Sequence, residues 1–115
     1  MPEKIIKRDG RVVAFDQGRI INAIFKAAKA VGGADRKTAT NLSQEVLVIL
    51  QERFPGGYPS VEEVQDIVEK VLIENGHAKT AKAYILYRKQ REELRDFQSL
   101  LLNTEKMFQE YLGGE

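Results

Sequence analysis

The sequence predicts an α+β, mostly helical fold: a small three-stranded sheet with an N-terminal β-hairpin, packed by about four helices and followed by a C-terminal extension helix. Three observations predict it. Asp9-Gly10 stands between two β-branched runs, the strongest short-range hairpin signal. Downstream, apolar residues recur at helical spacing in stretches punctuated by Gly32-Gly33, by Phe54-Pro55-Gly56-Gly57-Tyr58-Pro59 and by Gly76. From His77 to Leu112 there is neither Gly nor Pro. At 115 residues, 43% hydrophobic and 30% charged, the chain suits one soluble domain with a real core rather than two.

In the hairpin, a two-residue turn at Asp9-Gly10 pairs Arg8 with Arg11, Lys7 with Val12, Ile6 with Val13 and Ile5 with Ala14. One face then carries Ile6, Val13 and Phe15, and the other Ile5, Val12 and Ala14. Lys7, Arg8 and Arg11 concentrate positive charge at the turn end.

Asp16 caps the first helix, in which Ile20, Ile24, Ala27, Ala28 and Val31 form an apolar stripe widened by Ile21 and Phe25. Gly18 in its first turn costs about 1 kcal/mol against Ala. It either leaves backbone room beside a ligand or is a weak spot. A second helix runs from near Asp35 or Thr38 to Arg53 and buries Ala39, Leu42, Val46, Ile49 and Leu50. The Phe54–Pro59 segment breaks it, and Tyr58 supplies the short third strand against the hairpin.

Ser60-Val61-Glu62-Glu63 is a capping box, serine at the cap and glutamate three residues on. Val64, Ile67, Val68, Val71 and Leu72 make the core face of that third helix, and Gly76 ends it. One or two helices follow. Ala78, Ala81, Tyr84, Ile85 and Arg88 share a stripe, and Lys89 to Asp96 is almost wholly polar. Phe97, Leu100, Leu101, Met107, Phe108, Tyr111 and Leu112 begin a new stripe, so a break or change of partner is expected near Asp96. The closing Gly113-Gly114-Glu115 reads as a cut linker.

Composition narrows the chemistry. Net charge is +1, so nothing global draws the chain to nucleic acid or an anionic membrane. No cysteine is present, which removes disulfides, thiolate metal sites and cysteine-based chemistry. His77 is the only histidine, which argues against a histidine metal site or a Ser-His triad. Walker, GxGxxG and HExxH patterns are absent. The longest apolar run, Val46 to Leu50, is too short to span a bilayer, and the lack of a signal peptide points to the cytoplasm. Glu62, Glu63 and Asp66 fall in the first turns of a helix, where capping and the macrodipole explain them better than acid–base work. Lys7, Arg8 and Arg19 remain. From spacing they are either solvated charges beside a hairpin or the holder of an anion, strengthened by a nearby helix N-terminus. Phe15 either packs on a purine or fills the core.

Three segments carry a resemblance. Ile6-Lys7-Arg8-Asp9-Gly10-Arg11-Val12-Val13-Ala14-Phe15-Asp16 is similar to the opening motif of the ATP-cone domain. Ser60 to Glu69 and Ala81-Lys82-Ala83-Tyr84-Ile85-Leu86-Tyr87-Arg88 resemble its two later signatures, in the family order. The resemblance implies a cone over residues 1–92 and a helical connector over 93–115 toward a catalytic domain that the chain lacks. It also implies a non-catalytic allosteric site of ribonucleotide reductases. That site takes ATP, which keeps the enzyme active, or dATP, which shuts it down, with Mg²⁺ accompanying the nucleotide. Lys7, Arg8 and Arg19 would meet phosphate. The stretch Val13, Ala14, Phe15, Asp16 to Arg19 would wrap the nucleotide, and Val61, Gln65 and Lys89 would close the pocket. The sequence departs from the family at Val61 and Gln65, where some members place a hydroxyl or histidine, and at Gly18, where a charged residue is common.

The tail from Leu101 resembles the connector of anaerobic, glycyl-radical-type reductases. Implied partners are the nucleotide, the reductase catalytic domain and further copies of the chain, with no direct nucleic-acid or membrane binding. The alternative is a stand-alone nucleotide-sensing or helical interaction module acting on a separate partner. A transcriptional repressor carrying a cone after a zinc ribbon is one such case, but the ribbon needs cysteines that this chain lacks.

Overall fold

The computed structural model describes residues 3–33 and 35–113, with side chains described through residue 103. The order is β1 (Lys4–Ile6), β2 (Val12–Ala14), α1 (Gln17–Ala30), α2 (Arg36–Arg53), α3 (Val61–Glu74) and α4 (Ala78–Gly113). The fold is mostly helical, with a two-stranded antiparallel hairpin at its start.

The hairpin forms, but one residue out of the expected register. Lys4 pairs with Ala14, Ile5 with Val13 and Ile6 with Val12. The Lys7 N–H donates to the Arg11 carbonyl at 2.8 Å and the Gly10 N–H to the Lys7 carbonyl at 2.9 Å, so Arg8-Asp9-Gly10 is a three-residue loop. A two-residue type I′ turn needs positive φ at both central residues. Here only Gly10 enters that region, at φ 86°, where glycine meets no steric cost. Asp9 instead turns its carboxylate back to accept the Arg11 N–H at 3.1 Å. The slip exchanges the partners on each face, because side chains alternate with period two. Ile5, Val13 and Phe15 now share a face, and Ile5 and Phe15 pack against the core. Val12, on the other face, is 49% exposed.

The expected third strand does not form. The Ile6 N–H donates to the Pro59 carbonyl at 2.9 Å, and a single parallel bridge joins Ile6 to Ser60. The ladder stops there for two reasons. Pro59 has no N–H to return, and Ser60 is already the cap of α3. Tyr58 stands 43% exposed before that bridge.

α1 and α3 begin on the residues expected to cap them, and α2 begins on Asp35, one of the two starts expected for it. Asp16 accepts from Gly18 N–H at 2.9 Å. Asp35 accepts from Lys37 and Thr38 N–H and from the Thr38 hydroxyl. Ser60 and Glu63 close the reciprocal box, each side chain accepting the other's N–H at 3.1 Å. Such a cap contributes about 1 kcal/mol. The Asp35 carboxyl is held below its ordinary value, first by the Thr38 hydroxyl and then by the Thr38 N–H.

The core lies where α2 packs on α1 and α3. Ile24, Val46, Leu50, Val68, Val71 and Leu72 are its most enclosed members. All five residues expected on the α3 core face are buried. Ser43 is buried too, accepting from Gln17 Nε2 at 3.2 Å and donating to the Thr40 carbonyl at 2.7 Å. Val31, expected on the α1 stripe, is 41% exposed just beyond the helix end.

The chain forms two compact units, Met1–Ile85 and Leu86–Glu115. The first turns of α4 give Ala81 and Tyr84 to the first core. No break occurs near Asp96: α4 is continuous from Ala78 to Gly113. The polar stretch Lys89 to Asp96 is rich in good helix formers and contains no Gly or Pro, so nothing local stops the helix. In the second unit Leu94, Phe97, Leu100, Leu101 and Leu102 are exposed. The stripe expected at Met107, Phe108, Tyr111 and Leu112, and the closing Gly114-Glu115, lie outside the described side chains. Among the described residues no helix is long and apolar enough to cross a membrane.

Candidate functional site

The hairpin tip and the N-terminal turns of α3 are brought together by the backbone. The bond from Ile6 N–H to the Pro59 carbonyl sets the end of β1 beside the start of α3, one residue before the helix cap. Residues just beyond Ile6 therefore project near residues just inside α3. Arg8 uses that proximity. Its Nη2 donates to Gln65 Oε1 at 3.2 Å, and its Nε pairs with Glu62 Oε1 at 2.5 Å. Glu62 and Gln65 are three residues apart on α3, so they lie on one helical face and both reach the same guanidinium.

The other cation at the tip is also engaged. Arg11 Nε contacts Asp9 Oδ2 at 2.6 Å. The Asp9 carboxyl is lowered from its ordinary value, first by the Arg11 backbone N–H and also by that guanidinium. Lys7 is half-buried, with its backbone in the loop bonds already described. Among the described residues neither its ammonium nor the exposed Arg19 guanidinium has a hydrogen-bonding or ionic partner. The positive tip read from the sequence is therefore largely compensated within the fold, and among its described cations Lys7 keeps its charge unpaired.

The remaining residues fall as follows. Val13 is half-buried and Ala14 exposed on β2. Phe15 packs against the core, its N–H donating to the Glu3 carbonyl at 2.9 Å. Asp16 is the α1 cap. A Cβ at Gly18 would lie 3.0 Å from Asp16 Oδ1, so glycine there lets the cap carboxylate close on the helix. Val61 is the half-buried first residue of α3. Lys89 is exposed and belongs to the second unit. Side chains of the expected set thus meet directly at one place, Arg8 with Gln65. Glu62 is the member that sequence reasoning left to capping. Spacing sets Glu62 outside the cap and in step with Gln65, but names no partner for it.

Chemically, a guanidinium held against a helix face, with a lysine beside it in sequence, is suited to phosphate. Among the described residues no group of three or more His, Asp or Glu is placed to hold a metal ion.

Comparison with known proteins gives a consistent result. A family model described as the ATP cone domain matches residues 3–93. The chain is 40% identical over 106 residues to a vitamin B12-dependent ribonucleoside-diphosphate reductase of Thermoplasma acidophilum, covering 88% of this chain and 13% of that protein. It is 39% identical over 97 residues to an anaerobic ribonucleoside-triphosphate reductase of Haemophilus influenzae, covering 84% and 14%. It is 35% identical over 101 residues to a ribonucleoside-diphosphate reductase subunit alpha of Chlamydia muridarum, covering 80% and 10%. The chain thus spans between 10% and 14% of the length of these curated relatives.

Proposed function

The chain belongs to the ATP-cone family, and on that premise we propose that it is a non-catalytic regulatory domain that binds ATP or dATP and switches a ribonucleotide reductase on or off. The observation that carries the reading is the meeting of Arg8 with Gln65. These residues come from two separate signatures of a nucleotide-binding family, and the fold joins them side chain to side chain. In this reading residues 1–92 are the sensing module and 93–115 the connector toward a catalytic domain in the cytoplasm. Lys7, Arg8 and Arg19 take the phosphates, Val13 to Arg19 forms the wall, and Val61 and Gln65 close the pocket. Mg²⁺ arrives on the phosphates, whose oxygens suit that hard cation.

Calorimetry tests the reading directly. Titration of the chain at micromolar concentration with ATP and with dATP, in the presence of Mg²⁺, is expected to give saturable heat with both. No heat with either nucleotide sinks the sensing function and favours a helical interaction module.

A nucleotide regulates only by binding two states unequally. We propose that the second state is an assembly of several copies, so that sedimentation is expected to show a nucleotide-dependent shift in mass. A single unchanged species with ATP and with dATP counts against that part of the reading.

A further inference from the structure

Arg8 cannot give its Nε–Nη2 edge to a phosphate and keep both of its present partners; of its five N–H groups, those of the outer Nη1–Nη2 edge are what the two partners leave. Nε and Nη2 are the two donors engaged, on Glu62 and on Gln65. Bidentate recognition of an anion uses paired donors of this kind. Gln65 is neutral, and its amide offers a donor as well as an acceptor, so it is compatible with a phosphate beside it. Glu62 is a carboxylate, an anion already sitting at Nε where a phosphate oxygen would go. The two groups are chemical equivalents competing for one donor.

From this geometry we infer that Glu62 is an internal competitor for the phosphate at Arg8, and that nucleotide binding exchanges the Arg8–Glu62 pair for an Arg8–phosphate pair. The inference rests on the reading of Arg8 as a phosphate ligand and adds how that ligand is regulated. Two features make the exchange workable. The side chains of Arg8 and Glu62 are 36% and 49% exposed, so the pair is weak enough to open, at the level of about fivefold in an equilibrium constant or less. Glu62 also lies in the first turn of α3, where the helix dipole steadies a carboxylate that has given up its cation. The base of the hairpin stays fixed by the Ile6–Pro59 bond. What changes is which anion the tip guanidinium serves. This is a local charge exchange of the kind that biases a two-state element.

The test is calorimetry with Mg·ATP, and separately with inorganic triphosphate, on the wild-type chain, Glu62→Gln, Arg8→Ala and the double variant. Glutamine keeps the shape and removes the charge. Glu62→Gln is expected to tighten binding of both probes about two- to fivefold, and that gain is expected to vanish when Arg8 is already alanine. Unchanged or weaker binding in Glu62→Gln, with wild type binding and Arg8→Ala impaired, overturns the competitor role and leaves the site intact. An equal gain with and without Arg8 also overturns it, because Glu62 then acts through space and not by holding the guanidinium. Absence of binding by wild type removes the phosphate site itself and the inference with it. A second readout follows the exchange without relying on affinity. The Arg8 Nε–H resonance is expected to move on adding inorganic triphosphate to wild type, and to start from a different position in Glu62→Gln, where its anionic partner is gone.

Discussion

Truncating Leu72 to Ala is expected to cost about 2–5 kcal/mol of folding stability, the range for removing a buried leucine that leaves a cavity. Leu72 has no exposed surface and sits with Val68 and Val71 on the inner face of α3. Its carbonyl also accepts the His77 N–H at 2.9 Å where the chain leaves α3 for α4. The site therefore has backbone on one side that is tied by a turn, and collapse into the vacated volume is restricted. A domain of this size has only about 5–15 kcal/mol in total, so the variant is expected to lie near the edge of folding. Each kcal/mol corresponds to about 4–8 °C in Tm for a domain of this size. Thermal and urea unfolding followed by circular dichroism measure the loss. Leu72→Met, which nearly conserves volume, is expected to cost less than about 1.5 kcal/mol. Equal losses in the two variants would mean that something other than packing is being removed.

The second large effect concerns ligand binding. Replacing Arg8 or Lys7 by Ala is expected to weaken triphosphate binding by about 1.5–3 kcal/mol, the scale of a hydrogen bond to a charged group. That is roughly 10- to 150-fold in Kd. The two variants should differ in a way the structure explains. The Lys7 ammonium has no competing partner among the described residues, so its whole interaction with phosphate appears in Kd. Arg8 first gives up Glu62, which lowers its net contribution. Arg8→Lys keeps the charge and loses the fork, and is expected to fall between wild type and alanine. Unchanged dissociation constants in both alanine variants would move the site elsewhere on the chain.

Local signals were legible in the sequence wherever they were self-contained. Asp16 and Ser60 cap helices because a short acceptor precedes an amphipathic run, and both do so in the structure; Asp35, one of two expected starts of α2, caps it as well. The core faces of α2 and α3 followed from period alone, as did that of α1 up to Ala27. The misses are of another kind. The hairpin register turned on whether Asp9 joins Gly10 in the left-handed region, a choice decided by its bonds to Arg11. The third strand failed because Tyr58 and the hairpin had to be matched across the intervening helices, and Pro59 then ended the match after one bridge. At the site, the residue types Lys7, Arg8 and Gln65 were visible, and the resemblance to the ATP-cone family assigned them a ligand. Glu62 was not visible as a partner of Arg8, because an ion pair between distant segments leaves no periodic trace.

The joint between β1 and α3 has a consequence for how the domain comes into being. Arg8 and Gln65 stand 57 residues apart in sequence, and the Ile6–Pro59 bond and the Ile6–Ser60 bridge hold the backbones of their segments together. Closing a contact of that span costs more chain entropy than any turn or helix contact within the segments it joins. Neither an isolated hairpin nor an isolated α3 contains the site, and no intermediate lacking that joint does either. Occupancy by an anion is then a property of the completed chain, so whatever binds there selects finished molecules and stabilises the whole unit by mass action.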